Sequence, residues 1–219
     1  MKTFKLIAIA LAFAVLRADG ATVGWSATAG IGTLTDSGGT AVPLDSALIM
    51  IGTFQPTLGT GPSGADVTLQ SLFASGDIAT ILGDFTQFNT TSHLAGKPGT
   101  GTTSGPGQWT YNDINTAAVF ANQQVYMLAF NATTTGAATQ MGIFTGAYGA
   151  FSAEWSFPAD TSLGSILPEL GDTTLSGVIV GSLSGTNYKM AAIVPEPSSV
   201  MLCAVAAIAM AGRRNRKRE

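Results

Sequence analysis

Few residues in the sequence could carry out chemistry, and the first of them is its single histidine. His93 lies beside Ser92 in a polar stretch, and a serine–histidine–aspartate triad would have to use it. The chain has no G-x-S-x-G turn of the kind that presents a nucleophilic serine. A zinc site needs three or four His or Cys ligands, and residues 21–197 hold one His and no Cys. The sequence therefore predicts neither a triad nor a zinc site, and His93 is interpreted as a solvated loop residue.

Acidic and amide side chains offer two further hypotheses. Glu154 is the best candidate for one carboxylate of a glycosidase pair, because a sugar ring could stack on the neighbouring Trp155. Residues 111–115, YNDIN, bring three oxygen-bearing side chains together, as a Ca²⁺ site requires. Asn and Asp also form turns, and Glu154 also suits an ordinary strand with one exposed side. These simpler interpretations are preferred, so no catalytic or metal-binding residue is predicted.

A glycine-rich stretch at residues 59–64 matches G-x-G-x-x-G. A dinucleotide site needs this turn to open a helix inside a strand–helix–strand unit. Pro62 argues against such a helix, and a chain with 27 glycines contains such matches by chance. No cofactor is therefore predicted.

The strongest signal in the sequence lies at its C-terminus. Pro195 and Pro197 flank Glu196, and they keep residues 194–199 extended because proline fixes φ and lacks a backbone donor. The apolar run 200–212 follows. It is about 20 Å long as a helix at roughly 1.5 Å per residue, short for a span that needs about 20 apolar residues. A basic tail at 213–219 then favours the cytoplasmic side of a membrane. Its bases are Arg213, Arg214, Arg216, Lys217 and Arg218.

Val194 to Pro197 read V-P-E-P, and the C-terminus resembles the PEP-CTERM sorting signal of Gram-negative bacteria that make extracellular polysaccharide. The same segment is also catalogued as an ice-binding-protein C-terminal motif. The resemblance covers about the last 26 residues. It implies recognition by an exosortase-type membrane protease, which removes the tail and releases or re-anchors the protein. The implied sorting motif consists of Val194, Pro195, Glu196, Pro197 and Ser198.

The N-terminus is typical of a secretory signal peptide. Lys2 and Lys5 precede the apolar stretch 6–16, and a small-residue cleavage site follows. The expected cleavage lies between Gly20 and Ala21. The sequence thus predicts a signal peptide at 1–20, a secreted domain at 21–193 and a sorting signal at 194–219.

Removing both ends makes the protein strongly acidic. Residues 21–197 contain eight Asp and three Glu against Lys97 and Lys189, a net charge of −9 compared with −3 for the whole chain. Such a domain cannot bind a phosphate backbone, so nucleic acid is excluded as a partner. The expected partners are the general secretion machinery and the exosortase-type protease, with extracellular polysaccharide as a further candidate.

Short apolar runs between Gly- and Asp-rich turns predict an all-β fold. We expect a single antiparallel, jelly-roll-like β-sandwich with one short helix, flanked by an N-terminal signal helix and a C-terminal membrane helix. The helix is predicted at 67–74 with Asp66 as its cap, 78–88 is predicted to be extended, and 89–108 is predicted to be a loop. The clearest strands are 22–29, 46–54, 123–130, 139–145, 154–157 and 175–183, and 46–54 is predicted to be buried on both faces.

The sequence predicts an exported cell-surface or matrix protein with a structural or adhesive role and no enzymatic activity. One alternative is a carbohydrate-binding module, which would present exposed Trp or Tyr side chains on a concave face. A second alternative is a secreted glycoside hydrolase, which would place two carboxyl groups about 5–10 Å apart in a cleft. Binding to ice would require a flat face of regularly spaced threonines, and no such repeat is visible.

Overall fold

The computed structural model describes residues 21–27, 32–54, 62–88, 93–96, 105–115, 118–146, 155–157, 165–166 and 176–194. These residues form mostly β-structure with two helices. The elements are β1 (Ala21–Ala27), β2 (Thr33–Thr35), β3 (Ala47–Phe54), α1 (Pro62–Ser75), α2 (Ile78–Asp84), β4 (Phe85–Gln87), β5 (His93–Ala95), β6 (Trp109–Asn115), β7 (Tyr126–Phe130), β8 (Gln140–Gly146), β9 (Ser165–Ile166), β10 (Ser176–Val180), β11 (Ser182–Ser184), β12 (Asn187–Lys189) and β13 (Ala191–Ala192).

A seven-stranded antiparallel sheet forms the centre of the fold. Its strand order is β10-β8-β7-β3-β4, with β5 on the other half of β3 and β13 on β8. Every residue of β3 and β7 is buried, which confirms the prediction that 46–54 is covered on both faces. Gly52 of β3 allows β4 to lie close, because a Cβ there would collide with the carbonyl oxygen of Thr86.

One face of this sheet packs against two three-stranded sheets. These have the orders β6-β1-β9 and β11-β12-β2, and they contain two parallel pairs, β1 with β9 and β2 with β12. Alternate residues such as Ile49, Ile51 and Met127 share this core with Trp25 of β1 and Trp109 of β6. The parallel pairs differ from the purely antiparallel arrangement that was predicted.

The opposite face of the sheet is covered by the two helices. Leu48, Met50 and Leu128 point away from the first core and pack with Leu69 of α1 and Ile81 of α2. Strands β3 and β7 are therefore buried because sheet strands cover one side and helices cover the other. The mostly β, antiparallel fold class is confirmed, whereas the jelly-roll-like sandwich remains a prediction.

The prediction of one short helix at 67–74 is wrong, because α1 begins earlier than predicted and a second helix, α2, follows it. Helix α1 begins at Pro62, where proline suits the first helical position because its missing N–H would have no partner there. Asp66 therefore lies inside α1 and is not its cap. The helix begins inside the glycine-rich stretch 59–64, so the argument that Pro62 opposes a helix there is wrong. The strands on either side of the helix, β3 and β4, are antiparallel, so the unit of a dinucleotide site is absent from this part of the described chain.

Helix α2 replaces the extended structure that was predicted from residue 78. Asp77 caps it: the backbone N of Thr80 donates to Asp77 Oδ1 at 3.0 Å, and Thr80 Oγ1 donates to Oδ2 at 2.7 Å. These two hydrogen bonds, the side-chain one first, hold the pKa of the Asp77 carboxyl below its usual value. This cap favours a helix over the predicted extended structure, and Ile78, Ile81 and Leu82 of α2 pack into the second core.

Two other predictions also require correction. Residues 93–95 lie in the predicted loop but form β5, because Leu94 and Ala95 pack into the cores and pair with β3. Residues 155–157 do not form the predicted strand and make a single bridge, Ser156 with Gln124. The predicted signal helix and C-terminal membrane helix lie outside the described residues, within which no helix is long and apolar enough to cross a membrane.

Candidate functional site

The described chain ends at Val194, the first residue of the predicted sorting motif. Strand β13 pairs with β8, with Ala191 opposite Met141 and Ala192 opposite Gln140. The N–H of Ile193 donates to the carbonyl oxygen of Thr139 at 2.9 Å. Val194 is then 53% exposed. The motif therefore begins one residue after a backbone hydrogen bond to the central sheet, without an intervening linker.

The loop between β7 and β8 lies next to this exit point, and residues 131–139 are called the exit loop here. Asn131 holds the loop closed: its Oδ1 accepts the backbone N–H groups of Thr139 and Gln140, and its Nδ2 donates to Thr139 Oγ1, all at 2.9 Å. A 3-10 turn, Thr135–Ala137, forms its tip. The sequence NATTTGAAT gives the exit loop no charged side chain.

The turn at residues 36–40 braces the end of the same strand. The backbone N of Ser37 donates to the Gln140 Oε1 atom at 2.7 Å. Asp36 Oδ1 accepts the N–H groups of Gly38 and Thr40, each at 2.8 Å, as its sequence predicted for a turn. The Asp36 carboxylate is thus engaged in its own turn beside the exit.

A second cluster of chemistry-bearing side chains lies between the sheets, around His93. Its Nε2 atom is 2.7 Å from Asp113 Oδ1, and Trp25 Nε1 donates to Asp113 Oδ2 at 2.8 Å. The side chain of His93 is 13% exposed and that of Asp113 is 1% exposed. His93 is therefore not the solvated loop residue that was predicted, but one half of a mostly buried pair.

The aromatic ring of Tyr111 completes this cluster. It stacks on the His93 ring with centroids 3.8 Å apart, and its hydroxyl donates to the carbonyl oxygen of Leu94 at 2.7 Å. Burial raises the pKa of the Tyr111 phenol; the hydrogen bond to Leu94 opposes this, while Asp45 and Asp113 add to it. The cluster joins β1, β5 and β6, and its geometry is that of a satisfied polar network.

The strand register contradicts the Ca²⁺ hypothesis for residues 111–115. These residues belong to β6, so Asn112 is exposed on one face while Asp113 is buried on the other. The Asn115 Nδ2 group donates to the carbonyl oxygen of Phe88. Across the described part of the chain, no group of three or more His, Cys, Asp or Glu side chains could hold a metal ion. The turn that was preferred for this stretch is wrong as well, because it is a strand.

All three tryptophans are buried. Trp25 is 2% exposed, Trp109 is 0% exposed and Trp155 is 1% exposed. Trp155 therefore cannot present a ring to a sugar in this conformation, which removes the reason for choosing Glu154. Glu154 itself lies outside the described residues.

The remaining predicted site residues fall at the two ends of the chain. Ala21, the residue expected after signal cleavage, is the first residue of β1 and pairs with Asn115. Gly20, Pro195, Glu196, Pro197, Ser198 and the basic residues of the tail lie outside the described residues. In the sequence, β1 begins at Ala21 and β13 ends two residues before Val194.

Comparison with known proteins identifies the C-terminal segment. No curated protein and no solved structure is significantly similar to this chain. Residues 194–217 match a protein-family model, the PEP-CTERM protein-sorting motif. This motif implies export and sorting to the cell surface by an exosortase-type membrane protein. From the residue that follows the last hydrogen bond to the central sheet onward, the chain carries a PEP-CTERM protein-sorting motif.

Proposed function

We propose that the mature domain is a structural or adhesive component of the cell surface or extracellular matrix, delivered there by exosortase-type processing. The observation that carries this proposal is the sorting motif at 194–217, attached without a linker to the last strand of the fold. The signal peptide 1–20 would direct the chain to the general secretion machinery. The segment 200–212 would anchor it transiently while the basic tail stays in the cytoplasm. Processing would then leave a jelly-roll-like β-sandwich with its helices outside the cell.

The packing of the described residues supports a structural role over catalysis. His93 and Asp113 bond to each other, and Asp113 also holds a buried tryptophan. Groups engaged in this way stabilise the junction of three strands. The absence of a disulfide-forming cysteine between 21 and 197 fits a domain that depends on such packing.

The carbohydrate-binding alternative would use exposed aromatic rings as stacking platforms for sugars. Trp25, Trp109 and Trp155 are all buried, and so are Tyr126 and Tyr188. Tyr111 is half-buried and stacks on His93. The described residues therefore offer no aromatic platform, and no observation favours this alternative over the structural role.

A glycan array tests the proposal. The mature protein, purified from the culture medium of its host, should give a flat response across neutral and acidic oligosaccharides and should hydrolyse none of them. Heat-unfolded protein serves as the control for non-specific adsorption. Saturable binding to one class of glycan, lost on unfolding, would overturn the structural role in favour of a lectin, and turnover would overturn it in favour of a hydrolase.

A further inference from the structure

We infer that the exit loop, residues 131–139, is the surface of the domain that docks on the processing enzyme. The inference rests on the proposed processing at the sorting motif and adds where on the folded domain the enzyme makes contact. It follows from four features of the exit loop: its distance from the motif, its position on the sheet, the chemistry of its side chains and its preformed conformation.

The distance between the folded domain and the sorting motif is too short for the enzyme to bind the motif without contacting the domain. Ile193 is hydrogen-bonded to the central sheet, and the four residues 194–197 span at most about 14 Å when fully extended. A small protein domain is about 30 Å across. An enzyme that holds Glu196 and Pro197 in its site must therefore bring its own surface against the part of the domain that surrounds Ile193.

The strand register shows which part of the domain surrounds Ile193. Ile193 bonds to Thr139, the last residue of the exit loop, and Ala192 lies opposite Gln140. The loop also starts at this end of the sheet, because Phe130 lies opposite Leu48 while Tyr126 lies opposite Gly52. Helix α2 and β4 sit beyond Gly52, at the other end of β3. The exit loop is thus next to the motif, and α2 is at the far end of the sheet.

The exit loop is also suited to close contact with another protein. Its exposed residues are small and uncharged: Thr133, Thr134, Gly136, Ala137 and Thr139. A partner can cover such a surface without removing an unpaired charge from water, which is strongly unfavourable. The lack of charge distinguishes the exit loop within a predicted mature chain of net charge −9. The nearby Asp36 carboxylate is engaged in its turn, and Asp45 is exposed before β3.

The loop is held in one conformation before any partner binds. Three hydrogen bonds from the Asn131 side chain close it, and the carbonyl oxygen of Ala132 accepts from the N–H of Leu48 at 2.9 Å. A surface that is already ordered loses little conformational entropy on binding. The structure therefore offers the enzyme a preformed contact beside the residues it must read.

Two glycines give a matched pair of variants. Gly136 lies at the tip of the exit loop and Gly83 lies on α2; both are exposed, and a Cβ added at either meets no other group within 4 Å. Neither Gly136 nor Gly83 has a positive φ. Gly136→Arg should slow removal of the tail at least tenfold in the native host, whereas Gly83→Arg should be processed at the wild-type rate. Processing is followed by the mass of pulse-labelled protein.

A spacer separates docking from any effect on folding. With eight Gly and Ser residues inserted between Ile193 and Val194, Gly136→Arg and the wild type should be processed at equal rates. Unimpaired processing of Gly136→Arg without the spacer would overturn the inference, and so would a defect that the spacer fails to remove. A separate variant tests the proposed function: if replacing Pro195, Glu196 and Pro197 by alanine leaves processing normal, the proposed function fails. That outcome differs from the two Gly136→Arg outcomes, which overturn only the docking of the exit loop.

The same assay in detergent identifies the partner. Full-length substrate and processing enzyme, both in micelles, should still show the Gly136→Arg defect if the exit loop contacts the enzyme. Loss of the defect in detergent would assign the contact to the lipid surface and overturn docking on the enzyme.

Discussion

A chain in which Pro195, Glu196 and Pro197 are all replaced by alanine should be exported normally but remain in the cytoplasmic membrane with its tail uncut. The predicted signal peptide at 1–20 is untouched, so export should not change. The substitutions free φ at two positions, restore two backbone N–H donors and remove the one charge of the motif. A carboxylate flanked by two prolines is the feature that an enzyme binding this segment can recognise. Cell fractionation followed by intact-mass analysis measures the outcome, and we expect no detectable processed product.

The control for this variant is a pair of substitutions away from the motif. Gln70→Ala and Ser71→Ala lie on the exposed side of α1, and they should leave processing unchanged. Normal release of the triple-alanine protein would show that the processing enzyme does not recognise the motif. It would leave the β-domain intact but remove the reason for placing it at the cell surface through this pathway.

Asp113→Ala should lower the free energy of unfolding by about 3 kcal/mol, since it removes the buried acceptor of two side chains. The Trp25 indole N–H would lose its partner inside the core, and His93 would lose its hydrogen-bonded neighbour. The deleted carboxylate would also leave a cavity between the sheets. Denaturant unfolding of the purified domain measures the difference.

Asn112→Ala is the matched control for this substitution. Asn112 precedes Asp113 on β6 but is exposed on the opposite face, so its replacement should change stability by less than about 0.5 kcal/mol. If Asp113→Ala is as stable as Asn112→Ala, the His93–Asp113–Trp25 network contributes nothing measurable. The structural explanation of the only histidine would then be wrong.

The parts of the fold that the sequence predicted well are those governed by local pattern. The apolar run at 46–54 has no polar alternation, so burial on both faces followed from the residues themselves and is confirmed by β3. The sorting motif is a linear pattern that can be identified in the sequence without knowledge of the fold, and residues 194–217 match it. Turn chemistry at Asp36 was equally local.

The errors arose where distant contacts or a single cap decide the outcome. Residues 78–84 contain β-branched side chains, and one hydrogen-bonded cap at Asp77 makes them helical. His93 and Asp113 are 20 residues apart, and they meet because β5 pairs with β3 while β6 pairs with β1. No motif spacing in the sequence predicts that His93 and Asp113 are paired. The one available signal was a buried-strand alternation across Trp109, Tyr111 and Asp113, which places these side chains on one face.

The exit loop also combines a feature that is local in the sequence with one that depends on the pairing of distant residues. Its uncharged sequence is visible in the chain, but its position beside residue 194 depends on the pairing of β13 with β8. In that pair Ala191 lies opposite Met141, which is 50 residues earlier in the chain, and Ala192 lies opposite Gln140. Extended structure over residues 188–193 was predicted from the sequence, but nothing in its two alanines indicates which strand they pair with. Only the fold shows that the sorting motif and residues 131–139 share one end of the sheet.

The intact mass of the protein recovered from outside the cells of its native host tests the central claim most directly. Export followed by removal of the tail predicts a chain that starts near Ala21, at the first residue of β1, and lacks the basic residues 213–219. The domain from β1 to β13 should be complete. Recovery of the full-length chain of 22.3 kDa from the cell surface would contradict both the signal peptide and the sorting of this protein by its C-terminal motif.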